Sequence, residues 1–208
     1  LEYYFESLNL REKIGEKGEL DLITIAIAKV YQKQSDYSNA LLYFHRTLKI
    51  REELGNKKSM AMTLQVMGST CILQDDYPKA LEYHLRALKI REELGDDKDA
   101  IATSLLQVGR AYTLQGNYPV GLEYCFKALK IREELANNKG IATVLNVIGT
   151  IFHKQADYSR ALEYYIKSLK MQKEIGDELS VASSLNNIGR IYSDRADYHN
   201  ALEYHLKS

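Results

Sequence analysis

Asp157-Tyr158-Ser159-Arg160-Ala161-Leu162-Glu163-Tyr164-Tyr165 decides the fold, because near copies of it recur along the whole chain. It returns as Asp36-Tyr37-Ser38-Asn39-Ala40-Leu41, Asp76-Tyr77-Pro78-Lys79-Ala80-Leu81, Asn117-Tyr118-Pro119-Val120-Gly121-Leu122 and Asp197-Tyr198-His199-Asn200-Ala201-Leu202. The glycines ahead of these copies give the period. Gly109, Gly149 and Gly189 are 40 residues apart and Gly68 to Gly109 is 41, which places one inserted residue between Asp96 and Ile101. A fixed period of this size specifies a solenoid of stacked supersecondary units, most often helix pairs. The expected organisation is a single array: a partial repeat at 1–18, full repeats at 19–58, 59–98, 99–139 and 140–179, and an incomplete one at 180–208.

Lysine plus arginine and aspartate plus glutamate both total 28, so the formal charge is zero and no basic excess points to nucleic acid or an anionic membrane. No apolar run approaches the roughly 20 residues that span a bilayer, and the N-terminus lacks the order of a signal peptide. The two cysteines, Cys71 and Cys125, fall at different repeat positions, each where other repeats carry an aromatic. That predicts two reduced, buried thiols and a cytoplasmic protein. The chain starts and stops inside repeats, as expected of a fragment of a longer array. The apolar faces of Leu1, Tyr4, Phe5 and Leu8, and of Leu202, His205 and Leu206, are therefore expected to be partly exposed, allowing end-to-end self-association.

Within each unit a first helix poor in charge is expected near 20–34, 60–74, 100–115, 141–155 and 181–195. A second, charged on its outer side, is expected near 37–54, 77–94, 118–136, 158–175 and from 198 onward. Asp36, Asp76, Asn117, Asp157 and Asp197 precede the second helices as N-caps, and Pro78 and Pro119 occupy the first turn, where a missing amide costs nothing. Gly15, Gly55, Gly95 and Gly176 are expected left-handed C-caps. Ala136 interrupts that series, so a frayed or shifted end is expected there, with Asn137 or Asn138 taking the left-handed conformation. Leu145, Ile148 and Phe152 make an i, i+3, i+7 seam against the small residues Ala161 and Ser168, with Tyr165 and Leu169 between. Gly149 allows close approach, and Gly121, costly inside a helix, implies a tight contact. Glu82 with Arg86, Glu123 with Lys127 and Glu163 with Lys167 are i,i+4 pairs on a solvated face.

These residues resemble the tetratricopeptide repeat, whose signature sets a large residue, Leu-Gly, an aromatic, and then Ala, an aromatic and Ala at fixed offsets. Leu145, Ile148-Gly149, Phe152, Ala161, Tyr165 and Ser168 match it, as do Leu105, Val108-Gly109, Tyr112, Gly121, Cys125 and Ala128. HEAT and armadillo arrays share the period but not this grammar. The resemblance implies an all-α, right-handed superhelical solenoid of antiparallel helix pairs. The 40-residue unit is longer than the usual 34 and is similar to that of Pins/LGN-type adaptors and of bacterial signalling proteins.

No phosphate loop, metal-spaced Cys/His cluster or nucleophile motif is present, and no cofactor, metal site or catalysis is expected. His84 and His205 stand at the aromatic seam position as satisfied core histidines. The expected function is a protein-interaction scaffold that holds a partner peptide or helix in a concave groove of first helices. The alternative is a sensory or oligomerising domain of a larger signalling protein, such as a histidine kinase or nucleotide cyclase. By register the groove is lined by Ile25, Lys29 and Lys33; Met62, Gln65, Val66, Ser69 and Leu73; Leu106, Gln107, Arg110 and Leu114; Asn146, Val147, Thr150, His153 and Lys154; and Asn186, Asn187, Arg190 and Asp194. Its charge, mostly basic on a neutral chain, favours a partner with apolar anchors and acidic groups near Arg110, Lys154 and Arg190. The resemblance also places an asparagine one residue before the Leu-Gly pair to hold a peptide backbone, and only Asn187 keeps it.

Overall fold

The computed structural model describes residues 1–15, 17–95 and 97–208, so the insertion expected from Asp96 onward begins at a residue outside the described ones. The described residues form eleven helices. They are α1 (Glu2–Ile14), α2 (Lys17–Lys33), α3 (Tyr37–Glu53), α4 (Lys57–Ile72), α5 (Tyr77–Leu94), α6 (Lys98–Leu114), α7 (Tyr118–Glu134), α8 (Asn138–Lys154), α9 (Tyr158–Glu174), α10 (Glu178–Asp194) and α11 (Tyr198–Leu206). The chain forms two compact units, Leu1–Ser104 and Leu105–Ser208, whose boundary falls within α6. In each unit, helices consecutive in sequence pack as neighbours. Turns of only a few residues join them, which makes successive helices antiparallel.

Side-chain caps set these boundaries. Asp36, Asp76, Asn117, Asp157 and Asp197 each accept a hydrogen bond from the backbone amide three residues on. The first helices start two or three residues earlier than their apolar pattern suggests, because Asn56, Asn137 and Asp177 cap α4, α8 and α10 in the same way. Gly15, Gly55, Gly95 and Gly176 are left-handed at the helix ends. The expectation at Ala136 needs correction: Ala136 itself adopts φ 49° and the end is not displaced, because Asn137 is already engaged as the cap of α8. The turn inside each repeat is left-handed as well, at Ser35, Asp75, Gly116, Ala156 and Ala196.

The seam is buried as its spacing requires. In the second unit Ile148, Ala161, Tyr165 and Ser168 are fully buried and Leu145, Phe152 and Leu169 nearly so. A Cβ on Gly149 would sit 2.8 Å from Tyr165 Cδ1, so the ring lies flat against a bare backbone. Gly121 is explained in the same way, since a Cβ there would meet Thr113 Oγ1 at 2.7 Å and the Gly109 carbonyl at 3.0 Å. Stacked aromatic pairs join the first and second helices of a repeat: Tyr31 with Tyr43, Tyr112 with Tyr124, Phe152 with Tyr164 and Tyr192 with Tyr204, with centroids 5.4–5.8 Å apart. Cys71 and Cys125 are free and buried, and burial pushes their thiols up to about 11 and about 12. His84 is buried against Gly68, but neither ring nitrogen has a hydrogen-bond partner, so it is a core histidine without being a satisfied one. At the first helix, Leu8 is buried on α2, whereas Leu1 and Tyr4 are exposed as expected.

A second, polar seam joins successive repeats. Arg51, near the end of α3, is 7% exposed; its Nε lies 2.6 Å from Asp21 Oδ1, and its Nη1 donates to the Ser59 carbonyl at 2.9 Å and Thr63 Oγ1 at 2.6 Å. Arg91 repeats the clasp on the Ala100 carbonyl and Ser104 Oγ. Arg132 is buried at this register in the second unit, where a Cβ on Gly140 would come within 2.5 Å of its Cδ. The last junction carries Gln172 instead, which donates to Ser168 Oγ at 2.9 Å and accepts from Ser184 Oγ at 2.8 Å.

Candidate partner-binding face

The seam uses two sides of each first helix and leaves a strip between them. In the first unit this strip is partly apolar. Ile25, Gln65, Val66 and Ser69 are half-buried, while Met62 and Leu73 each keep 55% of their surface exposed. Lys29 and Lys33 are exposed and have no ion-pair partner among the described residues. Gln32 Nε2 donates to Thr70 Oγ1 at 2.9 Å, linking α2 to α4 along the same side.

In the second unit the strip is polar and largely self-bonded. Asn146 donates to Ser184 Oγ at 2.8 Å and accepts from Asn187 Nδ2 at 3.4 Å. Ser184 donates to Gln172 Oε1, Gln172 donates to Ser168, and Ser168 donates to the Ala142 carbonyl at 2.7 Å, so one directed chain runs from the surface into the seam. Thr150 accepts from the Tyr165 hydroxyl at 3.0 Å. His153 Nε2 lies 2.6 Å from Asp194 Oδ2, so the single acidic group expected on this strip is already held by the preceding repeat. Gln107 and Leu114 are half-buried and Asn186 is exposed. Leu106 and Val147, expected as lining, are 6% and 8% exposed and lie within the helix packing. A first helix is covered on more of its circumference than a two-sided seam implies.

Arg110, Lys154 and Arg190 are exposed and have no ion-pair partner among the described residues. Arg110 stands in a small cleft with Thr143, Asn146, Gln172, Ser180 and Ser183. The residue as a whole is exposed, yet the surrounding helices strip enough water from its guanidinium to lower its pKa. Three bases on the second helices differ: Arg86, Lys127 and Lys167 lie 3.8, 2.6 and 2.6 Å from Glu82, Glu123 and Glu163. No group of three or more His, Cys, Asp or Glu side chains able to hold a metal ion occurs among the described residues. None of the helices is long and apolar enough to cross a membrane.

The tetratricopeptide repeat model matches residues 19–93, 59–134, 100–174 and 141–208. The chain belongs to the tetratricopeptide repeat family. No curated protein matches it. Among solved structures it is similar to BtubC (BKLC) from P. vanneervenii, at 19% identity and TM-score 0.79 over 97% of this chain and 85% of that one. A Signal Transduction ATPase with Numerous Domains from Pyrococcus horikoshii, with a tetratricopeptide repeat sensor, is similar at 20% identity and TM-score 0.77 over 90% of this chain. Here the chain spans only 29% of the larger protein. The Rap conjugation gene regulator of plasmid pLS20, solved with the Phr* peptide, is similar at 14% identity and TM-score 0.76 over 92% of this chain and 54% of that one. At such identities the likeness concerns the fold alone.

Sequence reasoning missed several residues of this tetratricopeptide repeat face. Leu22, 64% exposed, and the exposed Thr143 and Ser183 share the register of Met62, and the period that located Met62 would have found them. The clasp arginines were missed as well, although Lys-Ile-Arg-Glu-Glu-Leu occurs three times, at 49–54, 89–94 and 130–135. An arginine flanked by charged residues near a helix end carries no local sign of burial.

Proposed function

We propose that the chain is a non-catalytic protein-interaction module that takes a partner peptide or helix along the strip of its first helices. One observation carries this reading: Lys29, Lys33, Arg110, Lys154 and Arg190 on that strip have no ion-pair partner among the described residues, whereas Arg86, Lys127 and Lys167 on the second helices have carboxylate partners. The first unit offers apolar anchors at Met62, Val66 and Leu73 beside Lys29 and Lys33. The second offers amides together with Arg110, Lys154 and Arg190. Asn187 contributes less to a backbone clamp than its register suggests, because it is bonded to Asn146. A solved relative that carries the Phr* peptide supports a peptide partner. The test is capture of a partner by the full chain, followed by affinity measurements on Arg110→Glu and Asn187→Ala. Loss of affinity and of its salt dependence in Arg110→Glu is expected. Unchanged binding in both, with loss on an outer-face substitution such as Glu163→Lys, would overturn the reading.

A sensor role inside a larger signalling protein is the second reading, favoured by the likeness to a repeat sensor in a signal-transduction ATPase. It predicts that binding at this strip changes the activity of a domain elsewhere in the parent protein. Both readings expect no turnover by the 208 residues themselves, and turnover abolished by one substitution within 20–195 would refute both.

A further inference from the structure

We infer that the outer face of the second unit is an interface between two copies of this chain, paired antiparallel across the second helices α7, α9 and α11. Three columns of side chains cross these helices in register. Glu123, Glu163 and Glu203 form one, Lys127, Lys167 and Lys207 the next, and Phe126, Ile166 and Leu206 an apolar column beside the lysines. All three apolar side chains are exposed. The rings of Phe126 and Tyr164 lie 6.5 Å apart, which sets α7 and α9 side by side, and α10 packs on both α9 and α11. The first unit interrupts the same columns: His45 and a half-buried Leu85 hold the apolar register, and Leu42 stands where the others have glutamate.

The charges select the occupant. Glu123 and Glu163 hold Lys127 and Lys167 at 2.6 Å within their own helices, and Glu203 holds Lys207. Such exposed pairs are weak singly and can re-pair across a contact. A twofold axis lying in the contact plane and running across the helices reverses helix direction while keeping each helix over its own copy. Each glutamate then lies opposite the lysine of the other copy, because residues four apart share a helix face. A twofold along the helices would set glutamate on glutamate, which repulsion disfavours. The antiparallel axis falls at the level of Cys125, Tyr165 and His205, one residue from the apolar column. At a rise of about 1.5 Å per residue, Phe126, Ile166 and Leu206 each come within about 3 Å, along the helix, of their own copies. Meeting all the columns at once requires a surface with the same spacing, and a second copy has it. Burial of the apolar column drives association, and the charge pairs fix its direction. Two helices of 17 residues and one of 9, set about 10 Å apart, present roughly 600 Å² per copy. That is below the about 800 Å² of a standard partner surface, so a weak, concentration-dependent dimer is expected. The contact uses second helices only and is independent of the reading proposed for the first-helix strip.

The test is sedimentation velocity of the full chain between about 5 and about 500 µM. Mass rising from one copy toward two and no further is expected, since a contact of this symmetry closes on itself. Ile166→Glu, at an exposed position, should hold the chain monomeric with an unchanged urea midpoint. Glu123→Lys and Lys127→Glu should each weaken self-association at least about 10-fold, and an equimolar mixture of the two should restore it, because opposite charges then face each other across the axis. A single copy at every concentration, or growth past two copies as in end-to-end stacking, would overturn the assignment. So would dimers that survive Ile166→Glu, or a mixture that fails to associate.

Discussion

His84 is the residue whose environment conflicts most with its chemistry. It is 1% exposed, both nitrogens lack partners, and burial lowers its pKa to about 4. An unfolded histidine titrates near 6.5, so between about pH 6.5 and 4 the unfolded chain binds the extra proton. Stability is therefore fully present above the unfolded value and is lost as pH falls toward the folded one, by on the order of 3 kcal/mol over the whole window. The same seam position holds Phe44 and Tyr165, both fully buried, and the Tyr165 hydroxyl donates to Thr150. Ser69 holds the Thr150 register opposite His84. His84→Tyr should thus raise stability at pH 7 and flatten the acid limb of a plot of denaturant midpoint against pH; an unchanged acid limb would refute this account. The left-handed alanines are a second residue-scale cost. Ala136 and Ala156 sit at φ 49° and 57°, where a Cβ is disfavoured by about 1 kcal/mol, so Ala156→Gly should stabilise by up to that amount in urea unfolding.

Between elements, two kinds of contact hold helix to helix, and they fail differently. The apolar contact depends on absent atoms: Gly149→Ala puts a methyl 2.8 Å from a fully buried tyrosine ring that has no room to turn, and a loss of about 2 kcal/mol is expected from overpacking. The polar clasp depends on a charge. Arg51→Met roughly keeps the volume of the side chain but leaves Asp21, largely buried, without its cation and Thr63 without its donor, at a cost of about 3 kcal/mol measured by chemical denaturation. A double substitution that also changes Asp21 to Asn should recover part of that loss, whereas strictly additive losses would show that the pair does not act as one. The capping aspartates add an acid-sensitive component. Hydrogen bonds from the chain three residues on hold Asp36, Asp76, Asp157, Asp177 and Asp197 below the usual carboxylate range, so their contribution is present at neutral pH and falls away as they protonate.

At the scale of the whole molecule, a repeat array couples mainly through nearest neighbours, so damage should stay local. Gly149→Ala is accordingly expected to reduce hydrogen-exchange protection in α8 and α9 while α3 and α4 keep theirs; an equal loss across Leu1–Ser208 would mean that the chain unfolds as a single cooperative block. Zero net charge hides an uneven distribution: Arg86, Lys127 and Lys167 on the second helices lie beside carboxylates, whereas Lys29, Lys33, Arg110, Lys154 and Arg190 on the first helices have no ion-pair partner among the described residues. Repetition made the fold legible, because five copies of one local pattern fix which residues are apolar, capped or small, and these are properties of short segments. Asp157 as a cap and Ile148 as core followed directly from that pattern. The same register named Arg110, Asn146 and Met62 as candidates for the binding strip. It could not tell that Leu106 and Val147 are closed off, that His153 has taken Asp194, or that Arg51 is buried rather than solvated. Those outcomes depend on which atoms of one repeat meet the next some 40 residues away. A sequence period specifies equivalence between repeats, whereas hydrogen bonding and burial between them arise only when the helices stack.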